Sequence, residues 1–81
     1  MKIEGWEETG GALKKVFSFP DFVAAIKFVN LVAMIAEEVG HHPDIVINYN
    51  KVTFLLSTHD AGGVTDKDWA LATKIEELWK K

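Results

Sequence analysis

The stretch Glu37–Asp68, EEVGHHPDIVINYNKVTFLLSTHDAGGVTDKD, decides how the chain folds and holds all three of its histidines, His41, His42 and His59. Two of its segments, Asp44–Tyr49 and Lys51–Thr58, read as strands joined by a tight turn at Asn48–Asn50. In the second, Val52, Phe54, Leu56 and Thr58 share one face, and Thr53, Leu55, Ser57 and His59 share the other. Just before this pair, Gly40 suits the left-handed end of a helix and Pro43 prevents its continuation. Just after it, Asp60–Val64 is a loop around Gly62-Gly63, and Thr65 with Asp68 makes a capping box that opens another helix. The stretch therefore reads as helix end, hairpin, helix start.

Working outward, the second helix runs to about Lys80, with Leu71, Ala72, Ile75, Leu78 and Trp79 as its inward stripe. The first helix is predicted over Ser18 to Glu38, with Ser18 and Asp21 as a capping box and Pro20 in the first turn. Phe22, Ile26, Val29, Ala33 and Ala36 form one apolar stripe, and Phe28, Leu31, Ile35 and Val39 a second beside it. Together they are wider than one sheet contact needs, which predicts a further contact with a second subunit. Ile3–Glu8, anchored by Trp6, and Ala12–Phe17 read as a hairpin turning at Thr9-Gly10-Gly11. Leu13, Lys15 and Phe17 fall on one face of the second strand, with Lys14 and Val16 on the other. The order is ββαββα. It predicts an α+β fold, an antiparallel sheet with helices packed on one face, in one domain spanning residues 1–81.

Composition excludes several classes of function. The net charge of −3 gives no basic surface for phosphates, and Lys14-Lys15 and Lys80-Lys81 are the only basic doublets, so no nucleic-acid partner is expected. The chain has no cysteine, which removes disulfides, thiolate metal sites and thiol nucleophiles. The first residues hold no apolar leader, and Phe19–Val39 is interrupted by Asp21, Lys27 and Asn30. A cytoplasmic protein without a membrane span is expected.

Histidine is the side chain whose ordinary pKa, about 6.5, lies nearest neutral pH, so three in one segment can donate and accept protons in a single turnover. Glu37, one helical turn before His41, can orient an imidazole. The bland readings carry weight. A His-His pair in a loop is more often structural than catalytic, His59 suits an exposed strand end, and Glu37 suits a solvated helix end. Asp68 is where a capping acid belongs, Ser57 and Thr58 look like ordinary strand residues, and the three tryptophans suit a core or an interface. The spacing of the histidines is not a zinc pattern, and no nucleophile elbow is present, so neither a metal site nor a serine hydrolase is expected.

The whole segment resembles the pterin-4a-carbinolamine dehydratases, also known as the dimerisation cofactor of a homeodomain transcription factor. The matching string is Glu37-x-x-x-His41-His42-Pro43, then Tyr49, His59 and Asp68 in register; HHPDIVINYNKVTFLLSTH and KDWALA carry most of it. Gly5-Trp6 and Phe19-Pro20-Asp21-Phe22 extend the likeness over nearly the whole chain. The resemblance implies a four-stranded antiparallel sheet backed by helices, and a homodimer or a homotetramer built from two dimers. It implies dehydration of 4a-hydroxytetrahydropterin, the species released by aromatic amino acid hydroxylases, to quinonoid dihydropterin and water. No redox cofactor and no metal are called for. It implies His41, His42 and His59 as the catalytic pocket, with His41 and His59 as the proton-transfer pair, either one the acid and the other the base, and His42 polarising or positioning the hydroxyl. Glu37 is implied as a supporting carboxylate and Asp68 at the pocket edge. Pterin contacts are implied at Gly40, His41, His42 and Pro43 and across Ser57, Thr58, His59 and Asp60.

Two departures stand out. Lys67 occupies the position where relatives often carry arginine, which keeps the charge at the pocket mouth but loses the planar fork. Many relatives also have an additional N-terminal helix before the position of Gly5-Trp6. Two other functions compete with the enzyme. One is a non-catalytic dimerising module that binds a partner's helical segment through the wide apolar helix, and the other is pterin handling in molybdenum-cofactor metabolism. The intact histidine triplet favours the enzyme over a pure adaptor.

Overall fold

The computed structural model describes residues 3–80. Four strands, β1 (Glu7–Thr9), β2 (Ala12–Ser18), β3 (Asp44–Asn48) and β4 (Lys51–Leu56), and two helices, α1 (Phe22–Val39) and α2 (Asp66–Trp79), follow one another in the order ββαββα. The strands form one antiparallel sheet in the spatial order β1-β2-β4-β3: the two hairpins pair as the sequence predicts, and β2 with β4 joins them. Leu13 lies opposite Leu56 and Phe17 opposite Val52, so the central strands bring their apolar positions to the same face. Both helices cover that face. Leu13, Phe17, Val52, Phe54 and Leu56 are buried beneath Ala25, Phe28 and Val32 of α1 and Leu71, Ala72 and Ile75 of α2.

Phe17 is the hub of this core. Its ring centroid lies 5.4 Å from Phe28, 5.7 Å from Phe54, 4.9 Å from Trp79 and 6.2 Å from Trp6. Trp6 is buried as its anchoring role predicts, and its Nε1–H donates to Glu76 Oε2 at 3.3 Å. Lys15 reaches the same oxygen at 2.7 Å, so an inward lysine is neutralised where β2 faces α2. Among the described residues every buried side-chain nitrogen and oxygen has a partner.

The structure corrects several boundaries. Ile3–Glu8 is not a strand: Trp6 N–H bonds back to Ile3 C=O at 3.3 Å, Gly5 sits at φ +93°, and pairing begins only at Glu7. The positive φ is what favours glycine at Gly5; a Cβ there would also lie 2.8 Å from Lys15 Nζ, the end of a flexible side chain. Ser18 ends β2 rather than capping a helix; Asp21 itself is the N-cap of α1, accepting from Ala24 N–H at 2.8 Å. The inward stripe of α1 is Ala25, Phe28, Val32 and Ala36, flanked by Val29 and Ile35, and this leaves Phe22, Val23, Leu31, Met34 and Val39 exposed. β4 stops at Leu56, opposite Leu13 of β2, and Thr58 pairs instead with Gly63. The expected loop there contains a 3-10 turn, His59–Ala61.

Candidate active site

α1 ends as its sequence predicts. Gly40 takes the left-handed conformation at φ 69°, and His41 N–H bonds Ala36 C=O at 3.1 Å. This cap turns His41 back beneath the helix end, toward the start of α2. There the capping box also holds: Thr65 N–H donates to Asp68 Oδ2 at 2.8 Å, and the Thr65 hydroxyl accepts from Lys67 N–H at 3.3 Å. The two helix termini meet at one hydrogen bond, His41 Nε2 to Asp68 Oδ1 at 2.5 Å.

Asp68 is 0% exposed. Besides His41 and the Thr65 amide, it accepts the Thr58 hydroxyl at 2.8 Å. Burial alone would raise its carboxyl pKa. Hydrogen bonds from His41, the Thr65 backbone and Thr58, with the attraction of the imidazole charge, outweigh burial and hold it below the ordinary carboxylate value. An ionised carboxylate only accepts, so the His41 Nε2 facing it carries a proton. A neutral His41 then has its lone pair on Nδ1.

Beside this pair lies a cavity of about 450 Å³, lined by Gly40, His41, His42, Pro43, Asp44, Ser57, Thr58, His59, Asp60 and Lys67. Every residue expected at the binding surface lines it, and Asp44 joins them. A smaller, more apolar cavity of about 210 Å³ adjoins it, sharing Gly40, His41 and Lys67 and extending to Val39, Leu71 and Lys74. His59 enters the larger cavity from the exposed 3-10 turn. Glu37 and Asp68 are not among its lining residues. Glu37 bonds His42, not His41: its Oε2 lies 2.5 Å from His42 Nε2, with side chains 78% and 60% exposed. Water screens such a pair, so it holds His42 far less firmly than Asp68 holds His41.

The depth of Asp68 and the use of the Thr58 side chain were not predicted from sequence. Thr58 was expected as a pterin contact and as an ordinary strand residue on the face of Val52, Phe54 and Leu56; its hydroxyl bonds Asp68 and Thr65. The capping-box spacing signalled Asp68, but nothing local ties Thr58 to it. Among the described residues no group of three histidine, aspartate or glutamate side chains converges as a metal site. Among the described residues no helix is long and apolar enough to cross a membrane.

Comparison with known proteins places this geometry in context. The profile of the family described as pterin 4 alpha carbinolamine dehydratase matches residues 1–78. A Thermomicrobium roseum protein provisionally named as a pterin-4-alpha-carbinolamine dehydratase is 54% identical over 78 residues, which cover 96% of this chain and 84% of the relative. A Sulfurisphaera tokodaii protein of the same provisional name is 52% identical over 77 residues, covering 95% and 83%. The crystal structure of a transcriptional coactivator/pterin dehydratase from Brucella melitensis superposes with a TM-score of 0.87 at 35% identity, covering 93% of this chain and 82% of that one. A pterin dehydratase-like protein identified as a RuBisCO assembly factor in the alpha-carboxysome superposes with a TM-score of 0.79 at 26% identity, covering 93% and 89%.

Proposed function

Because the chain belongs to the pterin 4 alpha carbinolamine dehydratase family, we propose that its histidine-lined cavity dehydrates 4a-hydroxytetrahydropterin to quinonoid dihydropterin and water. The observation that carries this reading is the His41–Asp68 bond, a solvent-excluded carboxylate holding one imidazole at the wall of a polar cavity that His59 also enters.

The reaction is an elimination. A base takes the proton from N5, the electron pair of that bond forms the C4a=N5 double bond, and the C4a–O bond breaks. An acid protonates the departing hydroxide as water. His41 is the base at Nδ1, since Asp68 keeps the other nitrogen protonated and stabilises the imidazolium that forms. His59 is the acid, and its exposed turn lets solvent reload it. His42, steadied by Glu37, positions the hydroxyl. Gly40, Pro43, Ser57, Thr58, Asp60 and Lys67 contact the pterin. No step needs a redox cofactor or a metal. The physiological setting is tetrahydrobiopterin recycling in the cytoplasm. The exposed apolar residues of α1, among them Phe22, Leu31 and Met34, support a homodimer or homotetramer.

A second reading, a non-catalytic module that assembles a partner protein, draws on the same apolar residues and on the likeness to the assembly factor. Stopped-flow ultraviolet absorbance of 4a-hydroxytetrahydropterin dehydration separates the two. The wild type is expected to accelerate the reaction well above its spontaneous rate, and His59→Ala to lose that acceleration while remaining folded. A folded wild type that leaves the spontaneous rate unchanged overturns the enzyme in favour of the module.

A further inference from the structure

We infer that Thr58 is the positioning residue of the site, fixing His41 through Asp68 with its side chain and the His59 turn with its backbone. The inference rests on the dehydratase reading for its kinetic consequence but not for its structural one.

The side-chain half follows from counting protons. Thr58 Oγ1 lies 2.8 Å from Asp68 Oδ2 and 2.7 Å from Thr65 Oγ1. A hydroxyl has one proton, and the carboxylate can only accept, so Thr58 donates to Asp68. The Thr65 proton must then go to Thr58, while the Thr65 oxygen accepts from Lys67 N–H. The order of donors runs one way: Lys67 amide, Thr65 hydroxyl, Thr58 hydroxyl, Asp68. Oδ2 is held by Thr58 and by the Thr65 amide, and Oδ1 is left to His41. The carboxylate plane is thereby fixed, and with it the direction of the imidazole. No water can replace a missing donor at a carboxylate with no exposed surface.

The backbone half is a closed ring. Thr58 N–H donates to Gly63 C=O at 2.8 Å, and Thr58 C=O accepts from Ala61 at 3.0 Å and Gly63 at 3.3 Å. These bonds shape the turn that carries His59. One residue therefore sets the placement of both imidazoles.

Thr58→Val keeps the shape and the backbone ring and removes only the hydroxyl; Thr58→Ser keeps the hydroxyl. The test pairs imidazole nitrogen-15 NMR of His41 with the pH dependence of dehydration. Thr58→Val is expected to leave His41 protonated at Nε2, since Asp68 still only accepts, but to shift and broaden its nitrogen-15 resonances as the imidazole loses its fixed direction, and to lower kcat about 10- to 100-fold with KM within about twofold. Asp68 loses a donor that helps to lower its pKa, so it should be protonated at higher pH and carry the acid limb of the profile upward with it. Thr58→Ser should restore the resonance pattern and bring kcat to within about threefold of the wild type. A folded Thr58→Val with the wild-type pattern and kcat overturns the inference, as does a Thr58→Ser equally impaired. If Thr58→Val does not fold, the wild type still decides. The Thr58 and Thr65 hydroxyl protons must exchange slowly enough to be seen by NMR, and rapid exchange of both contradicts the chain. A wild type without activity whose His41 resonances nevertheless depend on the Thr58 hydroxyl would sink the dehydratase reading and leave the positioning intact.

Discussion

Replacing Asp68 by asparagine keeps the shape of the side chain and removes its charge. Three donors converge on the native carboxylate, His41 on Oδ1 and Thr58 and the Thr65 amide on Oδ2. An amide has one oxygen, and the two donors on Oδ2 demand that it lie there. Its NH2 group then faces His41 Nε2, which must give up its proton and accept. The imidazole proton moves to Nδ1 and the lone pair needed in the cavity is lost. General-base catalysis contributes about 10²- to 10⁴-fold, so kcat should fall by about that much. Stability should fall far less. Three hydrogen bonds weaken from charged to neutral, and relief of the buried charge offsets part of that, for a net cost of about 1–2 kcal/mol. A chain of 81 residues has about 4–12 kcal/mol in hand, so the variant stays folded. Asp68→Ala instead orphans all three donors at about 1–3 kcal/mol each and brings the protein to the edge of unfolding. Stopped-flow dehydration and urea melts of both variants test this. An Asp68→Asn enzyme within about threefold of the wild type would refute the tautomer reasoning. Equal stabilities for the two variants would refute the hydrogen-bond accounting.

The lowered Asp68 pKa also sets a pH dependence. The unfolded carboxyl, at about 3.9, takes up a proton before the folded one does, so its contribution to stability is present above that value and is lost as pH falls through the folded pKa. Urea midpoints should drop below about pH 4, and Asp68→Asn should flatten that acid limb; identical limbs would contradict the assignment. Phe17→Ala empties the centre of the aromatic cluster and should cost about 3–5 kcal/mol in a urea melt, against under 1 kcal/mol for the exposed Val23→Ala. Glu76→Ala strands the mostly buried Lys15 and Trp6 donors and should cost about 3–5 kcal/mol, whereas the double variant Lys15→Met, Glu76→Leu should recover most of it in the same assay. Glu37→Gln disturbs only an exposed pair, so its dehydration rate should stay within about threefold of the wild type; a loss as large as that of Asp68→Asn would reverse the ranking of the two carboxylates.

Local chemistry was legible in the sequence, and tertiary direction was not. Gly40 with Pro43 and Thr65 with Asp68 mark helix ends through short-range hydrogen bonds, and both ends stand where the sequence puts them. The strands read at Lys51–Thr58 and Ala12–Phe17 were legible by alternation, though they run Lys51–Leu56 and Ala12–Ser18. The inward face of α1 was not, because apolar residues occupy so much of its circumference that periodicity cannot fix its rotation. Only packing against Phe17 and Phe54 selects Ala25, Phe28 and Val32. Glu37, one helical turn before His41, was expected to support an imidazole; because the helix ends at Val39 and the left-handed Gly40 turns His41 inward, the imidazole it meets is that of His42. The convergence of His41, Thr58 and Asp68 joins three separate elements, and no local pattern encodes it.

The central claim is that two imidazoles act as one machine, His41 taking a proton while His59 gives one. A double-mutant cycle tests it most directly, with dehydration of 4a-hydroxytetrahydropterin measured above the spontaneous rate for the wild type, His41→Ala, His59→Ala and the double variant. Residues that act as a unit are not additive, so each single variant should lose nearly all the acceleration and the double should be no worse than the weaker single. Losses that multiply, or a single variant at the wild-type rate, would contradict the account.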